Sequence, residues 1–433
     1  MNLEYFIARK VAAAGQKSFS RLIIRIAIIA IALCLTVMIV ATSLIRGFKT
    51  EISNKIFGFW GHIHIMDTNV NRSFEATPIN KNQTFYPHLD TIASIGYLGR
   101  PTFLGRDTGG DLVRKQTNGG IKHIQMFAYK PGIIKTKKEI EGIVLKGIGR
   151  DYDWENLKEY LIAGDTIQFP TDKASEDIII SEQTANRLEL GVGKQFIVHF
   201  IKGKSQLKRR FRVSGIYKTG LEEYDRKFAL VDIRRVQALL GWEEDMIGGF
   251  EVYIDDIDDL VEINEFIYIE ELPNNLFSQT IRDKFPSIFE WLALQDINEI
   301  VILILMIIVA LINMVTALMI LILERTNMIG IMKALGSTNW SIRKIFLYYA
   351  AYIIGIGLFW GNLIGLLFCF LQKKFEFIRL SEADYYLSVA PIELNLWTIL
   401  MLNIGTLVIT VLFLIIPSYL VTSITPVKAI RFK

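Results

Sequence analysis

Two histidines two residues apart, His62 and His64, are the first side chains whose spacing suits chemistry. On a strand they share a face, and imidazoles on one face can hold a metal ion. No third imidazole stands near them, so the plainer reading is two polar residues on a half-exposed strand. Gly203-Lys204-Ser205 has the form of the end of a phosphate loop. Val198 stands where its first glycine should be, and the segment links two strands, so we read a hairpin turn. The acidic run Glu222-Glu223-Tyr224-Asp225 suits a docking patch or a plain solvated turn. Neither H-E-x-x-H nor G-x-S-x-G occurs, and both cysteines, Cys34 and Cys369, lie inside apolar runs. We therefore expect no catalytic residue, metal or cofactor on this chain.

The elements that must position these residues divide between bilayer and water. Of 433 residues, 51% are apolar and 12% aromatic, and 48 basic against 44 acidic side chains leave a net charge of +4. Four stretches carry no Asp, Glu, Lys or Arg: Ile26 to Ile45, Ile300 to Leu323, Ile345 to Gln372 and Leu394 to Val427, of 20, 24, 28 and 34 residues. About 20 apolar residues in a helix cross a hydrocarbon core about 30 Å thick. Each run is long enough, which excludes a soluble single-core enzyme and a disulfide-stapled secreted protein. The first run exceeds the roughly 7 to 15 apolar residues of a signal peptide and reads as a retained anchor.

Charge orients the spans. Residues 1–25 hold Arg9, Lys10, Lys17, Arg21 and Arg25 against Glu4, which places that end in the cytoplasm. The loop 324–344 carries Arg325, Lys333, Arg343 and Lys344 against Glu324, and the tail adds Lys428, Arg431 and Lys433. By contrast, 373–393 has three basic and four acidic residues. Both termini then lie inside, and residues 46–299, with a net charge of −5, lie outside. That balance excludes a nucleic-acid surface, which needs a basic stripe.

The outer segment alternates short elements. Trp60 to Met66 reads as a strand, Glu182 to Leu190 as a helix, and Gln195 to Ile201 with Phe211 to Tyr217 as a hairpin. Asp232 can cap a helix bearing Ile233, Val236, Leu239 and Leu240, Phe250 to Ile254 is a strand, and Asp258 or Asp259 starts a further helix. The fold class is thus an α-helical membrane protein of four transmembrane helices with a large α+β domain between helices 1 and 2, and a subdomain from about Thr68 to Gly164.

Ionisable residues within a bilayer mark ion paths, and these spans have none. With no complete phosphate loop either, any work done must come from another chain. Met328, Ile331, Met332 and Leu335 recur at helical spacing, on a helix that Gly336 can end and Ser337 or Thr338 can follow as the next cap. Periodicity alone serves docking in a partner's groove and lying on the membrane surface equally. Gly357, Gly361 and Gly365, each four apart and preceded by Gly355, let helix backbones approach closely. Asn313, mid-span, should find an interhelical hydrogen bond.

The stretch Glu324-Arg325-Thr326-Asn327-Met328-Ile329-Gly330-Ile331-Met332-Lys333-Ala334-Leu335-Gly336-Ser337, with Ile345-Phe346-Leu347 and the glycine ladder, resembles the hallmark of FtsX-like ABC transporter permeases. Ser43-Leu44-Ile45-Arg46-Gly47-Phe48, Gly61-His62-Ile63-His64-Ile65, the run from Gly215 to Asp225 and the closing Pro426-Val427-Lys428-Ala429-Ile430-Arg431 are similar to the lipoprotein-releasing, LolC/LolE-type subfamily. The likeness covers nearly the whole chain and is weakest between about Thr68 and Ile140.

The resemblance implies a bacterial inner-membrane permease divided as follows. Residues 1–25 form a cytoplasmic amphipathic segment, 26–45 the first span, and 46–299 a periplasmic MacB-like core domain with a subdomain. Residues 300–323 form the second span, 324–344 the coupling-helix loop, 345–372 the third span, 373–393 a short periplasmic loop, 396–421 the fourth span and 422–433 a cytoplasmic tail. It also implies a dimer of separate cytoplasmic ABC ATPase subunits that hold ATP and Mg, a second permease copy or sister, an acylated lipoprotein as substrate and a periplasmic carrier that receives it. The family's coupling helix falls on Asn327 to Leu335, so Glu324, Arg325, Met328, Gly330, Ile331, Met332, Lys333, Leu335 and Gly336 are its candidate ATPase-coupling residues. Met38, Leu44, Met306 and Asn313 match the substrate cavity approximately. Macrolide- or toxin-type export permeases and FtsX-like mechanical transmitters that regulate a periplasmic hydrolase are the alternatives; the first often carry their ATPase on the same chain and the second have smaller outer domains.

Overall fold

Helix periodicity continues well past the first charge-free run. Phe48, Ile52, Ile56, Phe59 and Trp60 are all buried, at helical spacing, while Lys49, Glu51 and Lys55 fall between them. The first long helix therefore spans Ser18–Trp60, 43 residues, and the expected strand at Trp60 starts only at Ile63. Gly61, at φ +73°, makes the left-handed turn between them. The other long helices are Pro286–Glu324, Asn339–Phe375 and Leu396–Ser418; with the first, these are four helices long and apolar enough to cross a membrane.

The computed structural model describes residues 4, 6, 18–69, 77–103, 106–107, 110–135, 139–202 and 205–424. Gly203-Lys204, most of residues 1–25 and the Pro426 to Arg431 motif lie outside the described residues. Two compact units emerge: Met1–Glu51, Glu290–Arg379 and Val389–Lys433 in one, and Ile52–Phe289 with Leu380–Ser388 in the other.

The second unit is built on a ten-stranded sheet. Its strands are β1 (Ile63–Asp67), β2 (Ile121–Lys135), β3 (Ile140–Ile148), β4 (Leu161–Gly164), β5 (Asp177–Ser181), β6 (Gln195–Lys202), β7 (Ser205–Tyr217), β8 (Phe228–Asp232), β9 (Gly249–Ile254) and β10 (Leu276–Thr280). The order is β6-β7-β5-β8-β3-β2-β9-β1-β10, with β4 on β7. Val198 of β6 also pairs with Ile134 of β2, which closes β2, β3, β8, β5, β7 and β6 into a ring. Since β2 and β3 are central strands, the region after about residue 120 belongs to the main sheet, and the expected subdomain from Thr68 to Gly164 is cut short.

Alternate residues Ile63, Ile65, Ile124, Leu145, Phe250 and Val252 fill one face with a hydrophobic core. Asp232 caps helix Ile233–Leu240 by accepting from the Arg234 amide at 2.9 Å, and Gly241 ends it at φ +77°. The intervening positions His64, Glu251 and Gln125 lie directly opposite one another across β1, β9 and β2. Period-two alternation would assign that row to solvent. Instead Phe59 and Trp60, from the end of the first long helix, cover it, Trp60 beside His64 and Phe59 against Lys146, the partner of Glu251.

Candidate functional site

The segment after the second long helix shows how a short helix is held. Arg325 breaks the helical path at φ −97°, ψ 19°, and helix Thr326–Ala334 follows. Its end is a Schellman turn: Gly336 at φ +89° donates to the Lys333 carbonyl at 3.0 Å, and Ser337 donates to that of Met332 at 3.0 Å. Of the two possible caps for the next helix, Thr338 serves, accepting from the Ser341 amide at 3.2 Å. Ile329 and Gly330 form the buried face, while Met328 and Met332 lean partly on the apolar core of the first unit. Ile331 and Leu335 are 52% and 81% exposed. The expected single stripe is thus split, because the inward face centres one position off it.

Lys333 turns inward. Its Nζ donates to the carbonyl oxygens of Val421 at 2.7 Å, Thr422 at 3.3 Å and Ile424 at 2.7 Å. These oxygens end the last helical turn, Leu420–Ser423, where a cation satisfies carbonyls that lack intrahelical partners. Burial, with Arg343 nearby, pulls the Lys333 pKa below its usual value. Arg343 itself lies over the Tyr419 ring at 3.7 Å. Nothing in local spacing distinguishes this role from docking, since the acceptors are backbone atoms about 90 residues away. Lys333→Met should cost about 1–2 kcal/mol locally and speed amide exchange in 420–424; Lys333→Arg should restore protection, as hydrogen-exchange mass spectrometry of the full chain will report.

The glycine ladder packs on the first long helix. A Cβ at Gly357 would sit 2.7 Å from Ile31 Cγ2, one at Gly361 2.8 Å from the Ala32 carbonyl oxygen, and one at Gly365 3.4 Å from Ile39 Cβ. Thr36 Oγ1 donates to the Gly361 carbonyl at 3.1 Å across the same seam. Gly355, by contrast, faces open space.

Asn313 does not bond between helices: its Nδ2 donates to Val309 O, one turn back, at 2.9 Å. The interhelical amide pair is Asn362 with Asn403, whose side chains donate to each other at 2.7 and 3.0 Å. Sequence shows an amide within a span and not which helix lies beside it, so Asn313 and Asn362 look alike there while only Asn362 meets a partner on another helix. Met38 is fully buried among the helices, while Leu44 and Met306 are half-buried at the edge of that core. These cavity candidates therefore do not share one open surface within a single chain. Ile304, Leu305, Ile308 and Ile312 instead form an exposed apolar face on the second long helix.

The histidines are engaged internally. His62 Nδ1 accepts from the Ile254 amide at 3.1 Å, and burial lowers its pKa to about 3. His64 is fully buried rather than half-exposed, with both ring nitrogens in hydrogen bonds. Among the described residues no group of three potential metal ligands occurs. In the acidic run, Asp225 turns in to accept from Thr219 and Gly220, and Tyr224 packs edge-on against Trp60. Asp225 and Tyr224 therefore serve the fold, while Glu222 is exposed.

A family model described as FtsX-like permease C-terminal matches residues 300–426, the segment that holds the second to fourth long helices and the short helix between them. The chain is 24% identical to the lipoprotein-releasing system transmembrane protein LolC of Buchnera aphidicola subsp. Schizaphis graminum, over 94% of this chain and 93% of that one. It is 22% identical to LolE of the same system from Haemophilus influenzae, over 99% of each chain. A solved extracellular domain of the noncanonic ABC-type transporter YknZ from Gram-positive bacteria aligns with a TM-score of 0.30 at 16% identity, over 50% of this chain and 98% of that one. Residues 300–426 thus carry an FtsX-like permease C-terminal domain, and the chain as a whole is similar, over nearly its full length, to LolC- and LolE-type permeases.

Proposed function

We propose that this chain is the permease subunit of a bacterial inner-membrane ABC transporter that extracts acylated lipoproteins from the outer leaflet and passes them to a periplasmic carrier. A separate ATPase dimer, which holds ATP and Mg, docks on helix Thr326–Ala334 from the cytoplasm and drives the cycle. Both termini lie in the cytoplasm, and a second permease completes the assembly. The observation that carries this reading is the half-seated short helix: Ile329 and Gly330 fix it to the spans, while Ile331 and Leu335 stand exposed among the described residues. Two exposed aliphatic side chains on a helix anchored from behind suit a partner's groove. The full-length likeness to lipoprotein-releasing proteins supports the cargo. Removing a lipid anchor costs about 0.8 kcal/mol per CH₂, so external ATP energy and charge-free spans fit the load.

The test is the double variant Ile331→Asp with Leu335→Asp. It should lose co-purification with the ATPase and ATP-driven release, while lipoprotein still binds. Release at the normal rate from that variant would refute the docking assignment; a purified chain that hydrolyses ATP alone would refute the division of labour.

A further inference from the structure

The last turn of the first long helix ends inside the second unit with every terminal carbonyl taken. Phe57 O accepts from the Gly61 amide at 2.8 Å, Gly58 O from the Tyr253 hydroxyl at 3.3 Å, Phe59 O from Lys146 Nζ at 2.5 Å and Trp60 O from His64 Nε2 at 2.6 Å. The last four carbonyls of a helix lack intrahelical partners and are met by side chains, water or tightened turns. Here three of the four donors are side chains from β9, β3 and β1.

His64 extends the grip. With Nε2–H given to Trp60 O, its Nδ1 lone pair receives Lys284 Nζ at 3.0 Å. Burial and the Lys284 and Lys146 charges keep this imidazole neutral, as the arrangement requires. Lys284 ends the short helix Ile281–Lys284, two residues before Pro286 opens the second long helix. Trp60 packs on Phe285 at 5.3 Å and Phe57 stacks on Phe289 at 5.6 Å around the same link. Lys146 and Glu251, both 0% exposed and 2.8 Å apart, balance charge beneath it. Buried ions are seldom retained for stability, since well-packed apolar residues do as well. A directional grip on two helix ends is a different use.

We propose that His64 and Lys284 are positioning residues: a clasp that holds the end of the first long helix at a fixed distance from the start of the second, so that the stroke of ATP hydrolysis reaches the cargo undiminished. The stroke rests on the permease reading above; the clasp itself does not. The test uses the full chain with its ATPase in nanodiscs. It follows ATP hydrolysis, lipoprotein released per ATP, and the distance distribution between spin labels at Asn54→Cys and Arg282→Cys, with Cys34 and Cys369 replaced. His64→Phe and Lys284→Met should broaden the distribution and lower release per ATP about tenfold, with ATP hydrolysis within about twofold of normal. His64→Gln, which keeps one donor and one acceptor, should restore both. Narrow, unchanged distances in both His64→Phe and Lys284→Met overturn the clasp whether or not cargo moves. If His64→Phe does not fold, Lys284→Met decides by the same measure. Broadening without release even from the unaltered complex would uphold the clasp and sink the permease reading instead.

Discussion

Glu251→Leu should lower the unfolding free energy of the sheet unit by about 3–5 kcal/mol. Glu251 is the carboxylate that answers Lys146 at 2.8 Å, and it also accepts from Gln125 Nε2 at 2.8 Å and from the Tyr129 hydroxyl at 3.3 Å. Its loss leaves Lys146 charged or deprotonated in a site with 0% exposure, and leaves two neutral donors short of an acceptor. Lys284, whose pKa burial already lowers to about 8, loses its nearby counter-charge as well. Lys146→Met in the same chain removes the stranded charge and should recover more than half of the loss. Denaturant unfolding of the full chain, followed by amide exchange in β1 and β9, measures both. A single-variant loss below about 1 kcal/mol would show that water reaches the pair, contrary to its burial.

Gly361→Leu should separate the third long helix from the first. Its Cβ would sit 2.8 Å from the Ala32 carbonyl oxygen and 2.9 Å from Leu35 Cβ, and the backbone oxygen cannot rotate away. Overpacking typically costs about 1–3 kcal/mol, and in lipid no hydrophobic drive restores the lost seam. A disulfide between Thr36→Cys and Gly365→Cys reports the seam, since a Cβ at Gly365 lies 3.4 Å from Thr36 Cα. Crosslinking should be nearly complete in the parent, free of native cysteines, and fall severalfold with Gly361→Leu. Gly355→Leu should leave it intact, because that position faces open space. Equal yields in all three chains would place the contact elsewhere.

What could be read from sequence was what is local. The charge-free runs mark the long helices, Gly336 and Asp232 mark a stop and a start, and alternation marks β9 from Phe250 onward. The first helix was read too short because its continuation to Trp60 is amphipathic, and charges at Arg46, Lys49, Glu51 and Lys55 ended the apolar run before they ended the helix. His64 looked half-exposed because its row on β1, β9 and β2 alternates correctly with the core; only its cover, supplied by another element, buries it. Lys333 was assigned to docking by its place in a motif, and its acceptors are oxygens that every residue possesses. Asn313 and the Asn362–Asn403 pair show the same limit, since an amide's partner depends on which helices become neighbours.

That both helix ends are gripped through main-chain oxygens bears on how such a chain can diverge. At 57–60 and at 421–424 the gripped segments present atoms common to all amino acids, so substitutions there leave the acceptors in place. The side-chain chemistry of the grip resides in the donors, His64, Lys146, Tyr253 and Lys333, scattered over the sequence. The tip at 57–60 is held a second way, since Phe57, Phe59 and Trp60 are themselves buried, so a substitution there keeps the acceptor and loses the packing.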